Sequence, residues 1–280
     1  MNTIFCLLLF FSTKTITVID AESNQSIPFV GFIGLHDHKG GYADAHGRIY
    51  VAGDLAQPFV ISCIGYATDT VYFDKEIVRM QAQTVVLPTV QVTAQASKLA
   101  TQALGFFKKN SWVSFAAQAK YEFYTFIANP DTSHQWYIKT IKLALRGYRK
   151  KTFESFKIRP HIKDARKRKP HLELLPHDLT VDVPKGKHSV LINLTQPILL
   201  PKTGCFIGFE TLGYTLEPNQ FIPYSDYTPQ PNDESVQVSI PLVKAPTLSL
   251  WRSKYANNWL GSPSDTHNAF AFGLGVFPDF

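Results

Sequence analysis

The sequence predicts an all-β protein built as two sandwiches in series, and three observations carry that expectation. Apolar residues recur at every second position in many short runs; Pro, Gly, Asp and Asn separate the runs; and aromatics make up 13% of the chain against only 18% charged residues. Period-two alternation puts one face of a strand inside and the other outside, and the separating residues have turn chemistry. Phe and Tyr in this abundance suit sheet cores rather than disorder or coiled coil. With 280 residues, the chain is long enough for two domains at ~100–200 residues each, both able to bury a core.

Taken in order, residues 4–11 form an apolar run far short of the ~20 residues that span a bilayer. Residues 1–12 therefore read as a secretory signal segment, which implies an exported protein, periplasmic or associated with the outer membrane. No basic residue precedes the run and no Ala-x-Ala follows it, so a frayed first strand is the alternative. No other segment could cross a membrane as a helix. Strands are expected from Thr15 through Asp20, from Ser26 through Ile33, from Arg48 through Ala52 and from Phe59 through Ile64, where Gly65 ends the run, then near Asp69–Phe73 and Val85–Val92. Asp44-Ala45-His46-Gly47 has the composition of a tight turn, with Asp bonding its own backbone ahead and Gly supplying positive φ.

Four phrases in this half, Val18-x-Asp20, Ile27-Pro28-x-Val30, Asp44-x-x-Gly47-x-Ile49 and Ile61-Ser62-x-Ile64-Gly65-Tyr66, resemble the carboxypeptidase regulatory-like domain of Bacteroidota envelope proteins. That resemblance implies a seven-stranded transthyretin- or Ig-like sandwich over residues 13–94, and no chemistry, since a widely shared fold carries none by itself. Ala43 stands where the family usually has Thr.

Residues 95–112 change character and read as a linker. From 113 to 280 alternation returns in about eight runs, among them Phe156, Ile158 and Ile162 against Lys157, Arg159 and His161, and Cys205, Ile207 and Phe209. Short strands with Pro- and Gly-containing turns between them favour a jelly-roll-like sandwich. Val183-Pro-Lys-Gly186, Pro201-x-x-Gly204-x-Phe206 and Ala269-Phe-Ala-Phe look like the C-terminal sandwich that follows the regulatory-like domain in a group of Bacteroidota proteins.

Three constellations could bind something. His36, Asp37 and His38 with Asp44 and His46 could offer zinc its nitrogen and carboxylate ligands, although a solvated loop explains the same residues. Residues 139–169 hold thirteen Lys and Arg against two acids; Arg166, Lys167, Arg168 and Lys169 could contact an anionic glycan or a phosphate, or simply form the solvated face and turn of a hairpin. Trp251, Arg252, Asn257 and Trp259, with the Tyr224 and Tyr227 loop, mix rings and hydrogen-bonding groups as sugar sites do, or plug the ends of a core.

There is no His-x-x-Glu pair, no Gly-x-Ser-x-Gly elbow, no phosphate loop and no His-Glu-x-x-His helix. The expectation is thus a non-catalytic envelope binding or accessory protein without cofactor, whose partner is an envelope protein or glycan and not nucleic acid. A carbohydrate- or anionic-glycan-binding module is one alternative, and a metal-dependent hydrolase or its accessory using His36, His38 and His46 is another. Cys6, Cys63 and Cys205 give no disulfide framework, and the latter two read as buried thiols.

Overall fold

The computed structural model describes residues 13–52, 55–83, 102–106, 114–117, 121–147, 153–216, 220–227, 238–245, 247–253, 259–261 and 268–278. The fold is all-β, with no helix among these residues. The chain divides into two compact units, residues 1–82 with 225–231 and residues 83–224 with 232–280. The signal segment, the strand expected near 85–92 and Asn257 lie outside the described residues.

Unit 1 contains β1 (Thr13–Asp20), β2 (Gly31–Gly34), β3 (Gly40–Tyr42), β4 (Arg48–Ala52), β5 (Pro58–Ser62), β6 (Asp69–Tyr72) and β7 (Ile77–Met80). One sheet runs β4-β1-β7 and the other β3-β2-β5-β6. Alternation decides what faces inward: Ile16 and Val18 of β1, Ile49 and Val51 of β4, Phe32 of β2 and Phe59 and Ile61 of β5 are all fully buried and share one core. Phe59 and Phe73 stack there at 4.2 Å between ring centroids. The expected turn is present: the Asp44 carboxylate accepts the backbone N–H groups of His46 and Arg48 at 2.8 and 2.9 Å, and Gly47 has φ +72°. The strand expected from Ser26 starts only at Gly31, because Pro28 and Phe29 (φ +56°) turn the chain first.

Unit 2 contains β8 (Gln102–Gly105), β9 (Ser114–Ala117), β10 (Tyr121–Ile127), β11 (Trp136–Ala144), β12 (Arg146–Gly147), β13 (Phe153–Arg166), β14 (Lys169–Glu173), β15 (Val181–Pro184), β16 (Ser189–Leu200), β17 (Cys205–Leu216), β18 (Gln220–Pro223), β19 (Val238–Lys244), β20 (Ser249–Ser253), β21 (Leu260–Gly261), β22 (Asn268–Phe270) and β23 (Phe272–Pro278). The largest sheet follows β14-β13-β17-β10-β20-β21, a second runs β16-β11-β23-β8, and a third β12-β19-β22. Part of the expected linker is therefore an edge strand, since β8 pairs with β23 from Gly105↔Gly273 to Gln102↔Val276.

The main core of unit 2 joins Phe156, Ile158 and Ile162 of β13 and Ile207 and Phe209 of β17 to Ile138 and Ile141 of β11 and Leu274 and Val276 of β23. Cys63 and Cys205 are buried free thiols, and burial pushes the Cys205 thiol far up, as an inert small hydrophobe requires. Strand β17 is buried on both faces over its first nine residues, and at its centre sits Gly208. A Cβ there would overlap the Phe123 carbonyl oxygen and approach Tyr124 Cδ1 to 2.7 Å. Gly208→Ala is expected to destabilise unit 2 by ~1–3 kcal/mol, the cost of an overpacked site, and so to lower its urea midpoint; an unchanged midpoint would contradict this packing.

Candidate functional site

The His-Asp cluster of unit 1 does not converge. His36, His38 and His46 are exposed on their loops, and among the described residues no group of three or more His, Cys, Asp or Glu is placed to hold a metal. Both acids are committed elsewhere. Asp44 receives Arg48 Nε at 2.9 Å besides its turn hydrogen bonds, and Asp37 receives the Tyr227 hydroxyl at 2.8 and 2.9 Å on its two oxygens. Backbone and hydroxyl donors hold the Asp37 carboxyl below its ordinary value although burial opposes them.

The chemistry of unit 2 collects on the second face of its largest sheet. Register aligns Arg159 of β13 with Glu210 of β17, Glu210 with Glu122 of β10, and Glu122 with Arg252 of β20. The next row holds His161 and Tyr124 on either side of Gly208. Period two predicts that Arg159 and His161 leave the core face, and they do; the expected solvent is absent. Arg159 is 1% exposed, His161 4%, Glu122 3% and Glu210 0%.

Each buried charge has a partner of opposite sign, as it must. Arg159 Nη1 reaches Glu210 at 2.7 Å and its Nε and Nη2 fork onto Asp178 at 2.6 and 2.9 Å. His161 Nδ1 lies 2.6 Å from Glu173 and its Nε2 3.7 Å from Glu210. Lys163 and Arg252 sit 3.6 and 3.4 Å from Glu122. Lys157, further along β13, meets Asp182 at 2.7 Å. The basic count of residues 139–169 thus overstates the free positive charge, because acids from other strands neutralise its buried members.

Protonation states follow from these contacts. Burial raises the cost of ionising Glu122, yet Lys163, Arg252 and His161 together hold its carboxyl below the ordinary range. Burial also opposes a charged His161, but Glu173, by charge and hydrogen bond, and Glu210 raise its imidazole above the ordinary value. A carboxylate held down stays ionised at neutral pH, and a raised imidazole beside it stays protonated, so the two oppose each other as charges on this face. Sequence reading missed it, although Glu122 and Glu210 are lone acids in otherwise apolar strands and each needs a basic neighbour.

A second feature of unit 2 is an apolar pocket of about 380 Å³. Leu104, Phe106, Phe126, Ile127, Phe206 and Leu248 form its walls, and Arg168 is the single charged residue that lines it. Its hydroxyl, Thr247 Oγ1, already donates to the Phe126 carbonyl at 2.7 Å. Arg168 comes from the expected basic hairpin: Arg166 and Lys169 close it, and Lys167 and Arg168 are its two turn residues at φ +50° and +60°. All four basic residues of the turn are exposed.

The aromatic constellation is placed differently from a sugar platform. Trp251 packs against the core and meets Phe270 edge to face, while Trp259 carries the Arg252 guanidinium 4.1 Å from its ring centroid and Tyr124 edge-on at 5.5 Å. Tyr227 is 7% exposed inside the core of unit 1. The sequence matches no family model, no curated protein and no solved structure.

Two outcomes follow for unit 2. Arg159→Met should cost ~3–5 kcal/mol in a denaturant titration, the range for breaking a buried pair from one side; a loss below ~1 kcal/mol would mean that the network is not closed. His161 holds its proton more tightly folded than unfolded, so its contribution is complete below pH ~6.5, the free imidazole value, and disappears as pH climbs through the raised one. Stability measured from pH 6 to 9 should fall with rising pH, and His161→Gln should flatten that slope.

Proposed function

We propose that this protein binds rather than catalyses, and that unit 2 takes a small, largely apolar ligand carrying an anionic group. The pocket beside Arg168 carries this reading. At about 380 Å³ it falls in the ~300–1,000 Å³ range of small-molecule sites, and a water's share of ~30 Å³ scales it to roughly a dozen groups of that size. Its walls supply apolar burial, and Arg168 supplies positive charge at one side.

The hairpin supports the reading independently. Long side chains in the left-handed region cost about 1 kcal/mol or more each, and Asn-Gly would form the same turn without that strain. A basic dipeptide retained at such a place suggests that its charge is used. The resemblance of unit 1 to regulatory-like domains and the apolar residues 4–11 belong to the same proposal, as grounds for placing this binding in the cell envelope. A sugar site at Trp251 and Trp259 has less behind it, because Arg252 and Phe270 already use their rings.

A dansylated medium-chain fatty acid tests the pocket. Saturable fluorescence enhancement is expected with the wild type, loss of it with Leu248→Trp, which fills the cavity, and a several-fold weaker response with Arg168→Glu. Lys167→Asn with Arg168→Gly should do two things at once, stabilising unit 2 by about 1 kcal/mol in a denaturant titration while weakening probe binding. Equal binding by all three variants would end the proposal.

A further inference from the structure

The core of unit 1 is completed by residues far away in the sequence. Ser225, Asp226 and Tyr227 belong to this unit, and they lie against a sheet edge through a single β-bridge. Strand β3 is the end of its sheet; Ser225 forms an antiparallel bridge with Gly41, and the Asp226 N–H donates to the Gly40 carbonyl at 2.8 Å. The Gly40 N–H returns a bond to Asp226 Oδ2 at 3.1 Å. The Tyr227 ring then turns inward, stacked on Phe32 and tilted on Phe59, each 6.0 Å between centroids.

Its hydroxyl is read as specifically as the ring. Both oxygens of Asp37 accept from it, and Gln57 Nε2 donates to it at 3.4 Å. Gln57 is itself oriented through Oε1, which accepts the His36 and Asp37 N–H groups at 3.0 and 3.3 Å. Gly34 leaves the room: a Cβ there would stand 2.6 Å from the Tyr227 hydroxyl and within 2.6 Å of Gln57 Oε1. Edge hydrogen bonds that tolerate many sequences, joined to a pocket that selects one side chain, are the two components of peptide recognition by strand addition.

We propose that the β3 edge and the Asp37–Gln57 pocket form a recognition site for an extended segment carrying Asp followed by Tyr, and that Ser225, Asp226 and Tyr227 are its tethered occupant. A separate extended segment that presents the same pair gains the site only where this occupant is withdrawn. The tether sets the terms, since a segment of the same chain meets the site as an intramolecular event that a dilute free peptide must outcompete. A free peptide at micromolar concentration therefore fails against the intact chain and succeeds only where the tethered tyrosine is missing.

The experiment uses the full chain and a fluorescein-labelled peptide with the sequence of residues 222–230. Tyr227→Ala is expected to bind it saturably at micromolar concentrations while the wild type shows no binding. The same peptide with Phe in place of the tyrosine of position 227 should bind roughly ten-fold or more weakly, the worth of a hydrogen bond to a carboxylate, and Asp37→Asn in the Tyr227→Ala background should narrow that preference. If Tyr227→Ala alone fails to fold unit 1, added peptide must restore its near-ultraviolet circular dichroism. No binding to folded Tyr227→Ala, no restoration of an unfolded one, or equal affinity for the Tyr and Phe peptides would overturn the assignment.

Discussion

A guanidinium cannot be left alone out of water. Arg159, at 1% exposure, is therefore the constraint from which the rest of unit 2 follows. Its fork onto Asp178 and its bond to Glu210 fix where β13 lies against β17. Glu210 in turn stands beside Glu122, and two like charges on neighbouring strands require the cations on either side, Arg252 and Lys163 with His161. A shift of β13 or β20 by one residue would turn its members of this row into the apolar core and leave the acids unpaired. The ionic face specifies the register of this sheet together with the buried Thr125–Ser249 hydroxyl pair on its otherwise apolar face.

The all-β class was legible because alternation is a property of single strands. So was the Asp44 turn, whose hydrogen bonds are local, and so was the basic hairpin closed by Arg166 and Lys169. What was illegible depends on pairs distant in sequence. Nothing near Arg159 announces that Asp178 and Glu210 will neutralise it, so a period-two reading assigns it to water. Gln102–Gly105 carries too few residues to declare itself a strand until β23 offers it an edge. Tyr227 sits in a loop-like phrase between Pro223 and Pro229, and only the aromatic slot between Phe32 and Phe59 explains its burial.

The candidate site shows the same division. Sequence identified Arg168 as part of a basic run but could not place it beside Phe126, Phe206 and Leu248, which three separate strands or loops contribute. Conversely, the histidines of residues 36–46 looked convergent because they are close in sequence. Closeness along a loop is a poor guide to ligand geometry: His38 adopts a left-handed turn conformation and His46 lies in the Asp44 turn, so each ring leaves the backbone in its own direction.

The discontinuous make-up of unit 1 bears on how the chain acquires its shape. Chains emerge from the ribosome N-terminus first and domains generally fold as units while they do so. Here the first 82 residues lack the aromatic ring that fills the space between Phe32 and Phe59 until position 227 has been made. Pairing across that separation is of the slow, long-range kind. Unit 1 thus waits for position 227 before its core can close, and unit 2 waits longer still, for the apolar residues of β22 and β23.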